Sequence, residues 1–170
     1  QQGDGTLAIP RAVTALAWSP DSRKLVTASE CGSAWVWSAS TGGMLARMDQ
    51  PHGCAETTQH INPMRSIAYA PSGSLIATLE HTGVVRMWAP HVEYRCAGST
   101  QPHYSPHCLA WLPDSSAVLV ATKPPLGAGF SGLQLLDAAT LQHPEHLPPP
   151  PKPSQQTDGI TALTLAPCGA

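Results

Sequence analysis

The sequence carries little charge: 12% of its 170 residues are Asp, Glu, Lys or Arg, and the formal net charge is −2. That balance gives no general attraction for nucleic acid or anionic lipid, and no Lys/Arg cluster supplies a local one. Low charge beside 42% hydrophobic residues also argues against a disordered acidic or basic tail. No apolar run approaches the roughly 20 residues that a membrane span needs. The chain opens on Gln1-Gln2, with neither an initiator Met nor the charged-then-apolar start of a signal peptide. It therefore reads as a piece of a longer protein. Its five cysteines, Cys31, Cys54, Cys96, Cys108 and Cys168, are odd in number and form no C-x-x-C pair. Reduced thiols of an intracellular protein are expected, not a disulfide framework. Cys31, Cys96 and Cys108 lie in or beside strand-like segments, where a small buried hydrophobe is the usual role.

What the chain does have is a repeat. "LAWSPDS" (16–22) returns as "IAYAPSG" (67–73), "LAWLPDS" (109–115) and "LTLAPCG" (163–169), at intervals of 51, 42 and 54 residues. Periods of this size belong to propellers or helical solenoids. Each copy starts with a short apolar stretch, "VTALAW", "MRSIAY", "PHCLAW" or "ITALTL", and places Pro20, Pro71, Pro113 or Pro167 two residues after the aromatic position. Pro at the second position of a turn pre-sets the backbone angle of a type I turn. Return strands follow at "KLVTAS" (24–29), "SLIATL" (74–79) and "AVLVAT" (117–122). Third strands read "SAWVW" (33–37), "GVVRMW" (83–88) and "GLQLL" (132–136), with weaker fourth strands near 43–48, 92–97 and 140–143.

No segment shows helical spacing over ten or more residues, and the β-branched and aromatic content reads as strand. Most strands are apolar on both faces, so both faces of each sheet must be covered. Radially stacked four-stranded antiparallel blades meet that demand. The fold class is therefore all-β, a β-propeller of about three blades plus the start of a fourth. The blades fall at 11–48, 64–98 and 106–143, and residues 160–170 begin the next. An open stack of this size would expose an apolar face at each end, so the chain reads as a segment of a larger propeller.

The four openings resemble the WD40-repeat family, whose pattern "V-x-x-[VL]-x-[FW]-S-P-D-G" matches "VTALAWSPDS" and its three later copies. Trp37 and Trp88 stand at the family's third-strand Trp. The match is divergent. The Trp-Asp dipeptide is "WS" and "WA", the Gly-His pair survives only as His60, and Cys31 and Thr82 replace the Asp of the turn before the third strand. The resemblance implies a non-catalytic scaffold that holds other proteins in a multiprotein complex. It further implies that the turns before the first and third strands share one face of the disc. That face would display Arg11, Glu30, His60, Arg65, Glu80 and His81 as a protein-binding rim. Their mixed charge suits a protein surface, not a phosphate backbone.

Two other readings stay open: an aladin-like structural propeller of a nuclear-pore or coat assembly, and the accessory domain of an enzyme whose catalytic part lies elsewhere. Within these residues there is no G-x-S-x-G elbow, phosphate-cradling Gly-rich loop or H-E-x-x-H. Glu30 and Glu80 read as occupants of equivalent turns and suit a shared rim better than a general acid/base pair. "HYSPHC" (103–108) gathers His103, His107 and Cys108, but no second ligand cluster follows at zinc spacing, so neither metal nor cofactor is expected. Trp18, Trp37, Trp88 and Trp111 recur at repeat positions and are expected in the core, whereas Trp35 departs from the repeat and is a candidate for a special contact. Insertions occupy 49–63, 123–132 and 144–159. The last holds the Pro148–Pro151 run, a stiff linker or a ligand for an SH3 or WW type module. Partners are expected to be proteins inside the cell, with no nucleic acid and no membrane.

Overall fold

The computed structural model describes residues 12–49, 62–100, 105–123 and 132–142. The described residues form eleven strands in three antiparallel sheets. The first sheet runs in order from β1 (Val13–Trp18) through β2 (Lys24–Ser29) and β3 (Ser33–Ser38) to β4 (Met44–Asp49). The second repeats that order with β5 (Met64–Tyr69), β6 (Ile76–Glu80), β7 (Val85–Ala89) and β8 (Arg95–Thr100). The third contains β9 (Ser105–Trp111), β10 (Ala117–Lys123) and β11 (Leu133–Asp137). Neighbouring strands in one sheet are also neighbours in sequence, the meander expected of propeller blades.

The proline turns explain why each hairpin forms. The amides of Ser22, Gly73 and Ser115 donate to the carbonyls of Ser19, Ala70 and Leu112 at 2.8–2.9 Å, which places Pro20, Pro71 and Pro113 at the second position of a hydrogen-bonded turn. Residues at the fourth turn position, Ser22, Gly73 and Ser115, all have positive φ, of 57°, 73° and 63°. A glycine adopts that conformation at no steric cost, and the two serines adopt it under mild strain. The turns also join blades, because the Ser72 amide donates to the Ser115 hydroxyl at 2.9 Å.

Fourth strands depart from expectation. β8 starts three residues late because Glu93 and Tyr94, with φ of 50° and 57°, prolong the turn before it. Residues 141–142 form no strand. The Asp137 carboxylate instead accepts the amides of Ala139 and Thr140 at 3.0 and 2.8 Å, holding 137–140 in a turn.

The blades stack with their first strands adjacent, β1 beside β5 and β5 beside β9. One core lies between the first two blades: Val26, Ala28, Ala34, Val36 and Met48 meet Met64, Ile67, Ile76 and Trp88. A second lies between the next two: Ala77, Leu79, Val85 and Met87 meet Leu109, Trp111, Val118, Val120 and Leu136. The small residues Ala15 and Ala17 pack at the edge of the first core. Each large side chain removed from water this way contributes roughly 1.5–3 kcal/mol.

Trp88 and Trp111 are buried, as the repeat implies. Trp18 is not: it is 54% exposed, because its face of the first blade has no described strand stacked on it. Trp37 is half-buried on the same face. Trp35 does make a contact of its own, lying buried with the Arg47 guanidinium 5.8 Å from its ring centre. Among the cysteines, Cys31 is buried and Cys108 half-buried, whereas Cys96 is exposed because β8 forms the outer edge of its sheet.

Candidate functional site

The three first strands share an irregularity at their starting ends. Antiparallel pairing slips by one residue between Val13 and Ala15, between Met64 and Ser66, and between Pro106 and Cys108. Thr14, Arg65 and His107 are the extra residues of these equivalent bulges. A bulge leaves one residue outside the ladder and re-aims its side chain. The repeat thus sets three side chains in a row along the end of the stack where the first strands converge.

Arg65 is the centre of that row. Its Nε donates to Nδ1 of His81 at 2.8 Å, and its Nη1 donates to Nδ1 of His107 at 3.1 Å and to the Pro106 carbonyl at 3.4 Å. A guanidinium has only donors, so both imidazoles accept at Nδ1 and carry their ring proton on Nε2. One cation on the second blade is therefore clamped between two neutral histidines, one of them on the third blade.

His81 and Glu30 occupy the same structural position. The His81 amide donates to the Pro63 carbonyl at 2.7 Å and the Glu30 amide to the Ala12 carbonyl at 3.1 Å, each tying a turn after the second strand to the residue before the first. The expectation that Glu30 and Glu80 are equivalent is therefore off by one residue. Glu80 aligns with Ser29, each pairing with the first residue of its first strand.

Glu80 is also not a rim residue. It is fully buried, its carboxylate accepting from Arg86 Nε at 2.6 Å and from the Thr82 hydroxyl at 3.2 Å. The pair lies on the face of the second blade that meets the first, and it neutralises itself there. At the same positions the first blade has Ser29 and Trp35, and the third has Thr122 and Gln134. Of the expected rim, Glu30 and His81 are exposed and Arg65 is half-buried. Arg11 and His60 lie outside the described residues. His107 was not foreseen as a rim residue. The signal is in the sequence: apolar residues recur three apart at the start of each first strand, Val13 and Leu16, Met64 and Ile67, Pro106 and Leu109, which an unbroken strand cannot place on one face.

The other described cations are mostly occupied. Arg47 pairs with Asp49 at 2.7 Å, Arg95 lies 3.9 Å from Glu93, and Lys24 Nζ donates to the Tyr94 hydroxyl at 3.0 Å. Burial, then the neighbouring Tyr94 phenol, pushes the ionisation of Tyr69 above its ordinary range. At the opposite end of the first blade, an open depression of about 550 Å³ is lined by Ser22, Arg23, Lys24, Ser38, Ala39, Ser40 and Leu45. Among the described residues no three His, Cys, Asp or Glu side chains gather where they could hold a metal ion. No helix of the described residues is long and apolar enough to cross a membrane.

Comparison with known proteins agrees with this geometry. Residues 5–38 match the family model of the WD domain, G-beta repeat. A solved structure of U3-55K superposes with a TM-score of 0.68 over 82% of this chain and 40% of that one, at 15% identity. The WD40 repeats of RRP9 give 0.67 over 82% and 39%, also at 15% identity. The chain has the WD40-repeat propeller fold. Among curated proteins it is similar to polyadenylation factor subunit 2 of Neurospora crassa, 26% identical over 83 residues, and to that of Gibberella zeae, 28% identical over 83 residues. Those alignments cover 49% of this chain and only 11% and 12% of the relatives' own length. In WD40 terms, the Arg65 clamp joins two successive blades at the ends of their innermost strands.

Proposed function

We propose that this chain is a non-catalytic WD40 scaffold that holds protein partners in a multiprotein assembly, and that Glu30, Arg65 and His81 contribute to its contact rim. The observation that carries this reading is Arg65, a half-buried cation held in place by neutral acceptors and left without a counter-charge among the described residues. Fixing a long side chain in advance lowers the entropy lost on binding. The similarity to a polyadenylation factor subunit supports membership of an assembly by analogy. An intracellular location and recognition of the Pro148–Pro151 run by an SH3 or WW type module belong to the same proposal. The expected exclusion of nucleic acid has no support in those relatives.

The test is affinity purification of the tagged full chain from cells, followed by mass spectrometry with stoichiometry. A partner retained at fixed ratio and reduced by Glu30→Ala or His81→Ala supports the scaffold. Absence of any stoichiometric partner contradicts it.

A further inference from the structure

We infer that the Arg65 clamp is a carboxylate-binding point, and that the partner it fits is an acidic segment of another protein. This rests on the scaffold reading and names the chemistry of its rim. Arg65 uses Nε and Nη1 for His81, His107 and the Pro106 carbonyl, so both N–H groups of Nη2 have no acceptor among the described residues. No carboxylate among those residues lies within ion-pairing distance of it. Among the described residues the nearest acidic side chain along the chain, Glu80, is already committed to Arg86. His81, exposed and accepting at Nδ1, offers its Nε2–H as a further donor. A guanidinium whose orientation is already set needs one singly charged, flat acceptor to complete it.

The charge count selects the class of partner. One uncompensated cation balances one carboxylate. Nucleic acid calls for a stripe of cations along its phosphates, and the row here reads Thr14, Arg65, His107, with acidic Glu30 at the equivalent turn of the neighbouring blade. The bulges turn these three residues out of their ladders together, so a peptide lying across the converging strand ends would meet Arg65 at its centre.

The experiment is fluorescence anisotropy at low salt with the full chain and three labelled probes: an alternating Glu/Gly dodecapeptide, its Gln/Gly counterpart, and an oligouridine of similar length. The Glu peptide is expected to bind, and the Gln peptide to bind at least about tenfold more weakly. Arg65→Gln is expected to weaken the Glu peptide by about tenfold, and Arg65→Lys, which keeps the charge without the fork, by about threefold. Arg95→Gln removes the same charge from an exposed strand and is expected to leave binding unchanged. Circular dichroism and melting check each variant, and if Arg65→Gln does not fold, Arg65→Lys against Arg95→Gln decides. Equal binding of the Glu and Gln peptides, equal effects of Arg65 and Arg95 variants, or Arg65-dependent binding of RNA alone would each overturn the inference. A stoichiometric cellular partner that survives Arg65→Gln would overturn it while leaving the scaffold reading intact.

Discussion

The same face of the first and second blades is built from the same kinds of residue and meets opposite fates. Leu16 and Ile67 hold one repeat position, yet Leu16 is 59% exposed and Ile67 5%. Thr27 and Thr78 each accept the indole N–H of the third-strand Trp, from Trp37 and Trp88, at 2.9 Å. Trp88 is 2% exposed under the first blade, whereas Trp37 is half-buried and Trp18 beside it is open. The lesson is that a blade's internal wiring is local, and so is the burial of Trp35, but whether first-strand side chains such as Leu16 and Ile67 become core depends on the blade stacked next to them.

Tryptophan truncation gives the widest separation between the two faces. Trp88→Ala should cost about 4 kcal/mol and Trp37→Ala about half that, read from denaturant unfolding of the full chain. Equal costs would erase the distinction. Next comes the buried ion pair, which among the described residues only the second blade possesses. Glu80→Ala strands Arg86 at a site only 13% exposed and should cost about 3 kcal/mol. Ser29→Ala, at the same position in the first blade, should cost clearly less in the same titration.

The turns differ by smaller amounts. Gly73→Ala should lower stability by about 1 kcal/mol, since φ is +73° and the added methyl gains no more than an ordinary contact with the Pro20 ring, at 3.9 Å. Ser22→Gly at the equivalent position should raise it by about 0.5 kcal/mol, both read from melting temperature. Acid provides the smallest effect. The Ser19 hydroxyl and then the Arg23 amide hold Asp21 below the ordinary carboxylate value, and the Ser116 amide and hydroxyl do the same for Asp114. The Thr140 amide and hydroxyl lower Asp137 likewise. A depressed folded value means the stabilisation is complete above the unfolded value and fades as pH falls through the folded one. Stability should therefore fall from about pH 4 downward, and Asp21→Asn or Asp114→Asn should flatten that fall. The second blade has Ser72 where the first has Asp21, so Ser72→Ala should leave the acid slope unchanged.

Much of this fold is legible in the sequence because turn chemistry is local. Pro20, Pro71 and Pro113 fix three hairpins, and the hairpins fix the meander. The bulges at Thr14, Arg65 and His107 were not read, since counting alternate residues assumes an unbroken period of two. An unbroken period of two hides the Arg65 clamp across two blades, although the sequence places Arg65 and His81 each on the rim. The exposure of Trp18 was illegible for another reason. Its residue type and position match Trp111, and what separates them is that no described strand stacks over Trp18. Glu80 shows the reverse error: a charged residue read as surface is buried because Arg86, six residues on, lies on the same face to meet it.

The most direct test of this neighbour-dependent core is indole N–H exchange in the full chain labelled with nitrogen-15 tryptophan. Trp88 and Trp111 should exchange slowest, Trp37 faster and Trp18 fastest. Protection of Trp18 equal to that of Trp88 would show that something covers the outward face of the first blade, and would contradict the account.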